Sequence, residues 1–201
     1  MSKPKALYII GGAGSGKSTF MMELLDRIEA ELKPLEDLHA KRNAKALVTL
    51  RGQAFESSVG PGMYLGLMRD QHPGTDGLDR ASTPTAVEWL GLEDGNLPMI
   101  VAEGATLSTK AFFQQLSITH DLLVVHLKVD EMIRDLRFAQ RGTTQKDAFV
   151  KSTETRSQNM ADFALDLGVV RVLTIDTEFP DGVSRAVTKC TNHLAGEPDD
   201  D

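Results

Sequence analysis

Nine residues, Gly11-Gly12-Ala13-Gly14-Ser15-Gly16-Lys17-Ser18-Thr19, follow a short apolar run at 6–10 and open a stretch of helical periodicity. Gly11, Gly16, Lys17 and Ser18 satisfy G-x-x-x-x-G-K-[ST], the signature of a loop that wraps a polyphosphate between a strand and a helix. The wrapping needs backbone close to the anion, hence glycines in place of side chains. Amide N–H groups and the positive end of the following helix then converge on the phosphate oxygens. In such a loop Lys17 reaches the terminal phosphates, and the Ser18 hydroxyl is a ligand for Mg²⁺, with Thr19 its rival. The ligand implied is a nucleoside triphosphate, ATP in the first instance. A loop of this kind also constrains the fold, because it must sit at the end of a buried strand.

The rest of the chain supplies such strands. Apolar runs at 6–10, 46–50, 99–102, 122–127 and 169–175 alternate with helical patterns. Five short buried strands separated by helices predict a parallel sheet covered on both faces. Phe20, Met21, Leu24, Leu25, Ile28 and Leu32 recur at helical spacing, with Pro34 beyond them. Asp130 is placed to cap a helix carrying Met132, Ile133, Leu136 and Phe138, and a last helix is expected over about 183–194. With 201 residues and no dividing linker, one domain over 1–195 is expected, ending in an acidic tail at 196–201.

Composition narrows the setting. Cys190 is the sole cysteine, so no intramolecular disulfide framework is available, which fits a reducing compartment. No run approaches membrane-spanning length, so the expected site is the cytoplasm, that of an infected host included. A net charge of −7 argues against a protein that coats nucleic acid by charge alone. The positive exception is 137–151, where four basic residues stand against one acid.

That basic stretch reads as a lid over about 137–152. Arg134, Arg137 and Arg141 fall at i, i+3 and i+7 on one helix face and lead into Gly142-Thr143-Thr144-Gln145, a hinge. Guanidinium groups closing over a transferring phosphoryl group stabilise its charge and exclude water, so Arg137 and Arg141 are the lid candidates. Arg156 and Asn159 on the next helix are lesser candidates. A solvated basic face paired with Glu131 and Asp135 is the plain alternative. A GTPase is disfavoured because Lys128-Val129-Asp130 lacks the asparagine of a guanine reader.

Residues 51–82 hold six of the 17 glycines together with Pro61 and Pro73, and little periodicity. Long irregular segments in compact domains tend to be functional, and this one is expected to wall the acceptor site. Arg51, Arg69 and Arg80 are candidate clamps for acceptor phosphate, and Tyr64 a candidate stacking platform. Asp76 and Asp79 are candidate proton acceptors or acceptor-binding groups. Glu103, at the end of the third apolar run, stands where ligands bind in such sheets and is a candidate metal ligand or base. An acceptor that is already a phosphate needs positive clamps, whereas an alcohol benefits from a carboxylate that takes its proton. Both residue types are present.

With these motifs in view, the chain resembles the P-loop kinases of the thymidylate-kinase-like group. It most resembles the phage-encoded 5-hydroxymethyluracil DNA kinases, through GGAGSGKST, YLGLMRDQHPGTDGLDRASTP, VAEGATLS and RFAQRGTTQKDAFVKSTETRSQN. The resemblance implies a three-layer P-loop nucleoside-triphosphate-hydrolase fold with an arginine-bearing lid. It implies phosphoryl transfer from ATP with Mg²⁺ to the hydroxymethyl group of a modified base in DNA, during thymidine hypermodification. By matching motif, residues 11–19 hold ATP, Arg137 and Arg141 form the lid, and Asp76 or Glu103 is the base. The Asp-Arg-Tyr/His segment that follows the third strand in thymidylate kinases is replaced by Glu103-Gly104-Ala105, which favours an alcohol acceptor over a free nucleotide phosphate. The alternatives are a deoxynucleoside monophosphate kinase and an ATP-binding regulatory module that transfers nothing.

Overall fold

A computed structural model describes residues 3–38, 49–68, 73–91 and 98–197. Strands β1 (Lys5–Gly11), β6 (Met99–Glu103), β7 (Asp121–Lys128) and β8 (Arg171–Asp176) coincide with four of the apolar runs. β1 pairs in parallel with β6 on one side and β7 on the other, and β7 pairs with β8. Side chains alternate across β1. Ala6, Tyr8 and Ile10 enter one buried cluster with Leu122, Val124 and Ala164, whereas Leu7 and Ile9 enter a second with Leu24, Val125 and Val187. Apolar residues on both faces of a strand are what a sheet sandwiched between helices requires.

Helix α1 (Lys17–Arg27) and helix α6 (Pro180–Ala195) cover one face. Helices α2 (Ser82–Leu90), α3 (Lys110–Thr119) and α5 (Asp147–Asp166) cover the other. Helix α4 (Glu131–Gln140) begins as expected, with the Asp130 side chain accepting from the Met132 amide at 2.8 Å.

The strand expected at 46–50 is described only at its end. Residues 46–48 lie outside the described residues, and Leu50 begins β4 (Leu50–Glu56), which is antiparallel to its neighbours. The parallel strand is β5 (Gly62–Leu65), inside the segment expected to be irregular, and it pairs with β6. Gly62 is required there, because a Cβ would fall 2.3 Å from the Phe55 ring. Two short strands, β2 (Glu31–Leu32) and β3 (Glu36–Leu38), also pair with β4, giving the order β2-β4-β5-β6-β1-β7-β8. Leu32 therefore belongs to β2 opposite Phe55, and α1 stops at Arg27, before Glu29 turns the chain at a φ of 53°.

The parallel strands all end on one edge, and β1, β6 and β8 deliver Gly11, Glu103 and Thr177 to it. Ligands in open parallel sheets bind along that edge. No helix among the described residues is long and apolar enough to cross a membrane.

Candidate active site at the strand ends

The loop leaving β1 has the conformation its glycines permit. Gly14 and Gly16 lie at φ of 78° and 89°, and Gly16 caps α1. Crowding excludes larger residues elsewhere in the loop, since a Cβ on Gly11 would fall 2.4 Å from the Ser15 hydroxyl. Lys17 turns its ammonium back onto the carbonyls of Gly11 and Gly12, at 3.1 Å each. Burial holds its pKa below that of an ordinary lysine, against the attraction of Asp76 and Glu103, and the Arg141 guanidinium adds to the depression. The Ser15 hydroxyl is buried without a hydrogen-bond partner among the described residues. A glycine-lined cradle holding an ammonium and an unmatched hydroxyl fits a polyphosphate.

Ser18 donates to Glu103 Oε2 at 3.3 Å. Glu103 is 2% exposed. Burial raises its pKa from 4.5 to about 7, with Lys17 and the Ser18 hydrogen bond pulling it down and Asp76 adding repulsion. A hydroxyl and a carboxylate side by side at the loop are the oxygen set that binds Mg²⁺ in phosphoryl-transfer sites.

Asp76 reaches the same edge from a single 3-10 turn, Thr75–Gly77. Its Oδ1 accepts from the amides of Ala105 and Thr106, at 2.5 and 3.3 Å, and so holds the loop that follows Glu103. The Tyr8 hydroxyl donates to Gly104 O at 3.1 Å and meets Thr75 Oγ1 at 3.1 Å, tying the two loops from below. Gly74 packs so closely that a Cβ would lie 2.5 Å from Glu103 Cγ. Lys17, Asp76 and Glu103 thus lie near enough on this edge for each carboxylate to act on the ammonium.

The arginine face of α4 divides into three roles. Arg134 is buried and pairs with Glu131, Asp135 and Glu154, at 3.2, 3.1 and 2.8 Å. Arg137 donates to Gly14 O at 3.1 Å, to Thr177 Oγ1 at 3.0 Å and to Thr177 O at 2.8 Å. It therefore joins the phosphate loop to the turn after β8. Arg141 is exposed, at the end of the helix. Arg137, Arg141, Gly16, Thr19, Thr177 and Val183 line a cavity of about 270 Å³ beside the loop.

Helix α5 adds contacts that local spacing did not reveal. The Thr153 hydroxyl accepts from the Ala13 amide at 3.0 Å, and Glu154 packs against Gly12. Arg156 Nη2 donates to Ala105 O at 2.7 Å and Ser108 O at 3.2 Å, so this lesser candidate anchors the loop that Asp76 also holds.

Other candidate residues fall elsewhere. Arg51 is exposed and paired with Asp37 at 3.2 Å across β3 and β4, because its strand is antiparallel and turns the side chain to that margin. Tyr64 is fully buried in the core beside Glu103, so its ring offers no face to a base. Asp79 accepts from the Ala81 amide at 2.8 Å, ahead of α2, and Arg80 is exposed beside it. Arg69 lies outside the described residues.

No curated protein is significantly similar in sequence. Among solved structures, the chain is similar to a gluconokinase from Sinorhizobium meliloti 1021, at 15% identity over 98% of this chain and 94% of that chain, with a TM-score of 0.43. A sugar kinase from Janibacter sp. HTCC2649 is similar at 14% identity, over 98% and 99% of the two chains, with a TM-score of 0.44. Residues 2–185 match the family described as P-loop Nucleotide Kinase3. The chain belongs to this P-loop nucleotide kinase family.

Proposed function

We propose that this kinase transfers the γ-phosphoryl group of ATP to the hydroxymethyl group of 5-hydroxymethyluracil in DNA, a step in thymidine hypermodification of a phage genome. The observation that carries the reading is the convergence of two carboxylates, Asp76 and Glu103, on Lys17. Glu103 hydrogen-bonds Ser18 on the loop side, while Asp76 is exposed on the acceptor side. An acceptor alcohol must lose a proton as it attacks, and a carboxylate at its side accelerates that loss. A phosphate acceptor has no such need and would call for cations at the position of Asp76.

In this reading the loop amides and Lys17 hold the triphosphate, and the cavity of Arg137 and Thr177 takes the nucleotide base. Ser18 and Glu103 would hold Mg²⁺, which when bound neutralises charge on the bridging phosphate oxygens. The hydroxymethyl oxygen bonds to the γ-phosphorus as the bond to the β–γ bridging oxygen breaks. The electron pair stays on ADP, and the hydroxymethyl proton passes to Asp76. Arg137 and Arg141 offset charge on the phosphoryl oxygens and exclude water. The acceptor base has to leave the stack, because a paired base cannot approach the γ-phosphate in line.

The test supplies γ-labelled ATP with DNA containing 5-hydroxymethyluracil, and in parallel with free hydroxymethyl-dUMP and dTMP. Label on the DNA is the expected result. Label on dTMP alone refutes the DNA acceptor, and label found only as inorganic phosphate indicates a module that hydrolyses ATP without transfer.

A further inference from the structure

One peptide group of the phosphate loop is held at both ends. The Gly12 carbonyl accepts from the Lys17 ammonium at 3.1 Å, and the Ala13 amide, the other end of the same unit, donates to the Thr153 hydroxyl at 3.0 Å. A peptide is planar and trans, so its N–H and C=O point in opposite directions and turn together. Whatever fixes the Ala13 N–H therefore also fixes where the Gly12 carbonyl points.

Thr153 is suited to that task. Its one hydroxyl proton goes to Val150 O, one turn back in α5, at 2.8 Å. The oxygen is thereby left as an acceptor, and the Ala13 amide meets it in that role. The helix itself is seated on the loop. A Cβ on Gly12 would lie 2.7 Å from Glu154 Cγ, so a glycine is needed there for α5 to approach. Glu154 is in turn paired with Arg134 at 2.8 Å, and Arg134 packs on Gly14, where a Cβ would fall 2.9 Å from its Cγ. Glycine leaves the adjoining peptide bonds easy to rotate, so without Thr153 the Gly12–Ala13 unit would have a weakly determined orientation.

The consequence falls on Lys17. An ammonium has three N–H donors. Gly11 O and Gly12 O take two of them, which leaves one for a phosphate oxygen. We infer that Thr153 is a positioning residue for phosphoryl transfer, locking the Gly12–Ala13 peptide so that the Gly12 carbonyl holds the Lys17 ammonium in place for the terminal phosphates. It acts through the loop and not on the substrates. The inference rests on the ATP site proposed above and not on the identity of the acceptor.

A double-mutant cycle on the binding of a non-hydrolysable ATP analogue, followed by calorimetry, tests it. Thr153→Val keeps the branched shape and removes the acceptor oxygen. It should raise Kd by about 2- to 12-fold, the range of one neutral hydrogen bond. Thr153→Ser should restore the affinity of the unaltered protein. On a Lys17→Ala background the valine substitution should change Kd by less than about twofold, because its effect runs through the ammonium. Thr191→Val removes the corresponding bond to Val187 O on α6, at 3.0 Å, and should leave Kd as it is. A loss of equal size with and without Lys17 overturns the inference. So does an unchanged Kd in Thr153→Val, or serine that does not rescue, with the fold intact by circular dichroism. An analogue that fails to bind the unaltered protein refutes the ATP site and the inference with it. Label on dTMP in place of DNA refutes only the proposed acceptor, since no acceptor enters this measurement.

Discussion

Ser18 donates a hydrogen bond to Glu103 Oε2 at 3.3 Å, joining residues 85 positions apart. The contact exists because β1 and β6 are parallel neighbours that end together, with Ile9 in register with Glu103. It places a carboxylate at the mouth of the phosphate loop, and that carboxylate has a measurable electrostatic signature.

Glu103→Gln should gain stability relative to the unaltered protein as pH rises, measured with a chelator present. An acid whose folded pKa is raised contributes its full stability below the unfolded value of 4.5, and that contribution is lost as pH rises through about 7. Glutamine does not titrate. The difference in unfolding free energy should therefore shift in favour of Gln by up to about 3 kcal/mol between those pH values, then level off. Thermal or denaturant melts across that range check it, and a pH-independent difference would contradict the buried carboxylate.

Lys17→Ala should abolish transfer while the protein still folds. Lys17 is partly exposed as a residue, and its ammonium bonds the loop carbonyls of Gly11 and Gly12 rather than packing into the apolar core. Losing one preorganised cation from a developing phosphoryl charge costs about 10²- to 10³-fold in rate. Single-turnover transfer assays with matched circular dichroism measure both halves.

Arg137→Ala should weaken nucleotide binding more than it weakens the fold. Its guanidinium bridges Gly14 O and Thr177, so removal unties the phosphate loop from the turn after β8. A hydrogen bond to a charged group contributes about 1.5–3 kcal/mol, which corresponds to a rise of about 10- to 100-fold in ATP Kd. Isothermal titration with a non-hydrolysable analogue gives that value.

Gly74→Ala should damage the acceptor side specifically. Gly74 sits at a φ of 64°, and the added methyl would meet the Glu103 side chain at 2.5 Å and its carbonyl at 2.6 Å. The carbonyl cannot move without disturbing β6, so a loss of at least about 2 kcal/mol in stability is expected. Transfer should fall further than ATP affinity does.

The portions of the molecule read correctly in advance are those whose signal is local. β1, β6 and β7 are apolar runs because both their faces are covered, and Asp130 caps α4 through its own neighbouring amides. β5 escaped notice because four residues, Gly-Met-Tyr-Leu after a proline, carry almost no periodicity. Its partner β4, at the antiparallel margin, alternates in burial instead of running apolar throughout. In the site, Lys17, Ser18 and Glu103 follow from the loop motif and from what parallel strand ends must share. Arg51 and Tyr64 depend on strand register, which decides between a surface ion pair, a core ring and a ligand contact. The Thr153 contact with Ala13 spans 140 positions, and nothing local to either residue foretells it.

The most direct measurement is the product. DNA containing 5-hydroxymethyluracil is incubated with ATP, Mg²⁺ and the protein, then digested to nucleosides and examined by mass spectrometry. A nucleoside heavier by one phosphoryl group, resistant to removal of the 5′-phosphate and missing with Lys17→Ala, is the predicted result. Unchanged 5-hydroxymethyl-deoxyuridine alongside consumed ATP would contradict transfer to the base.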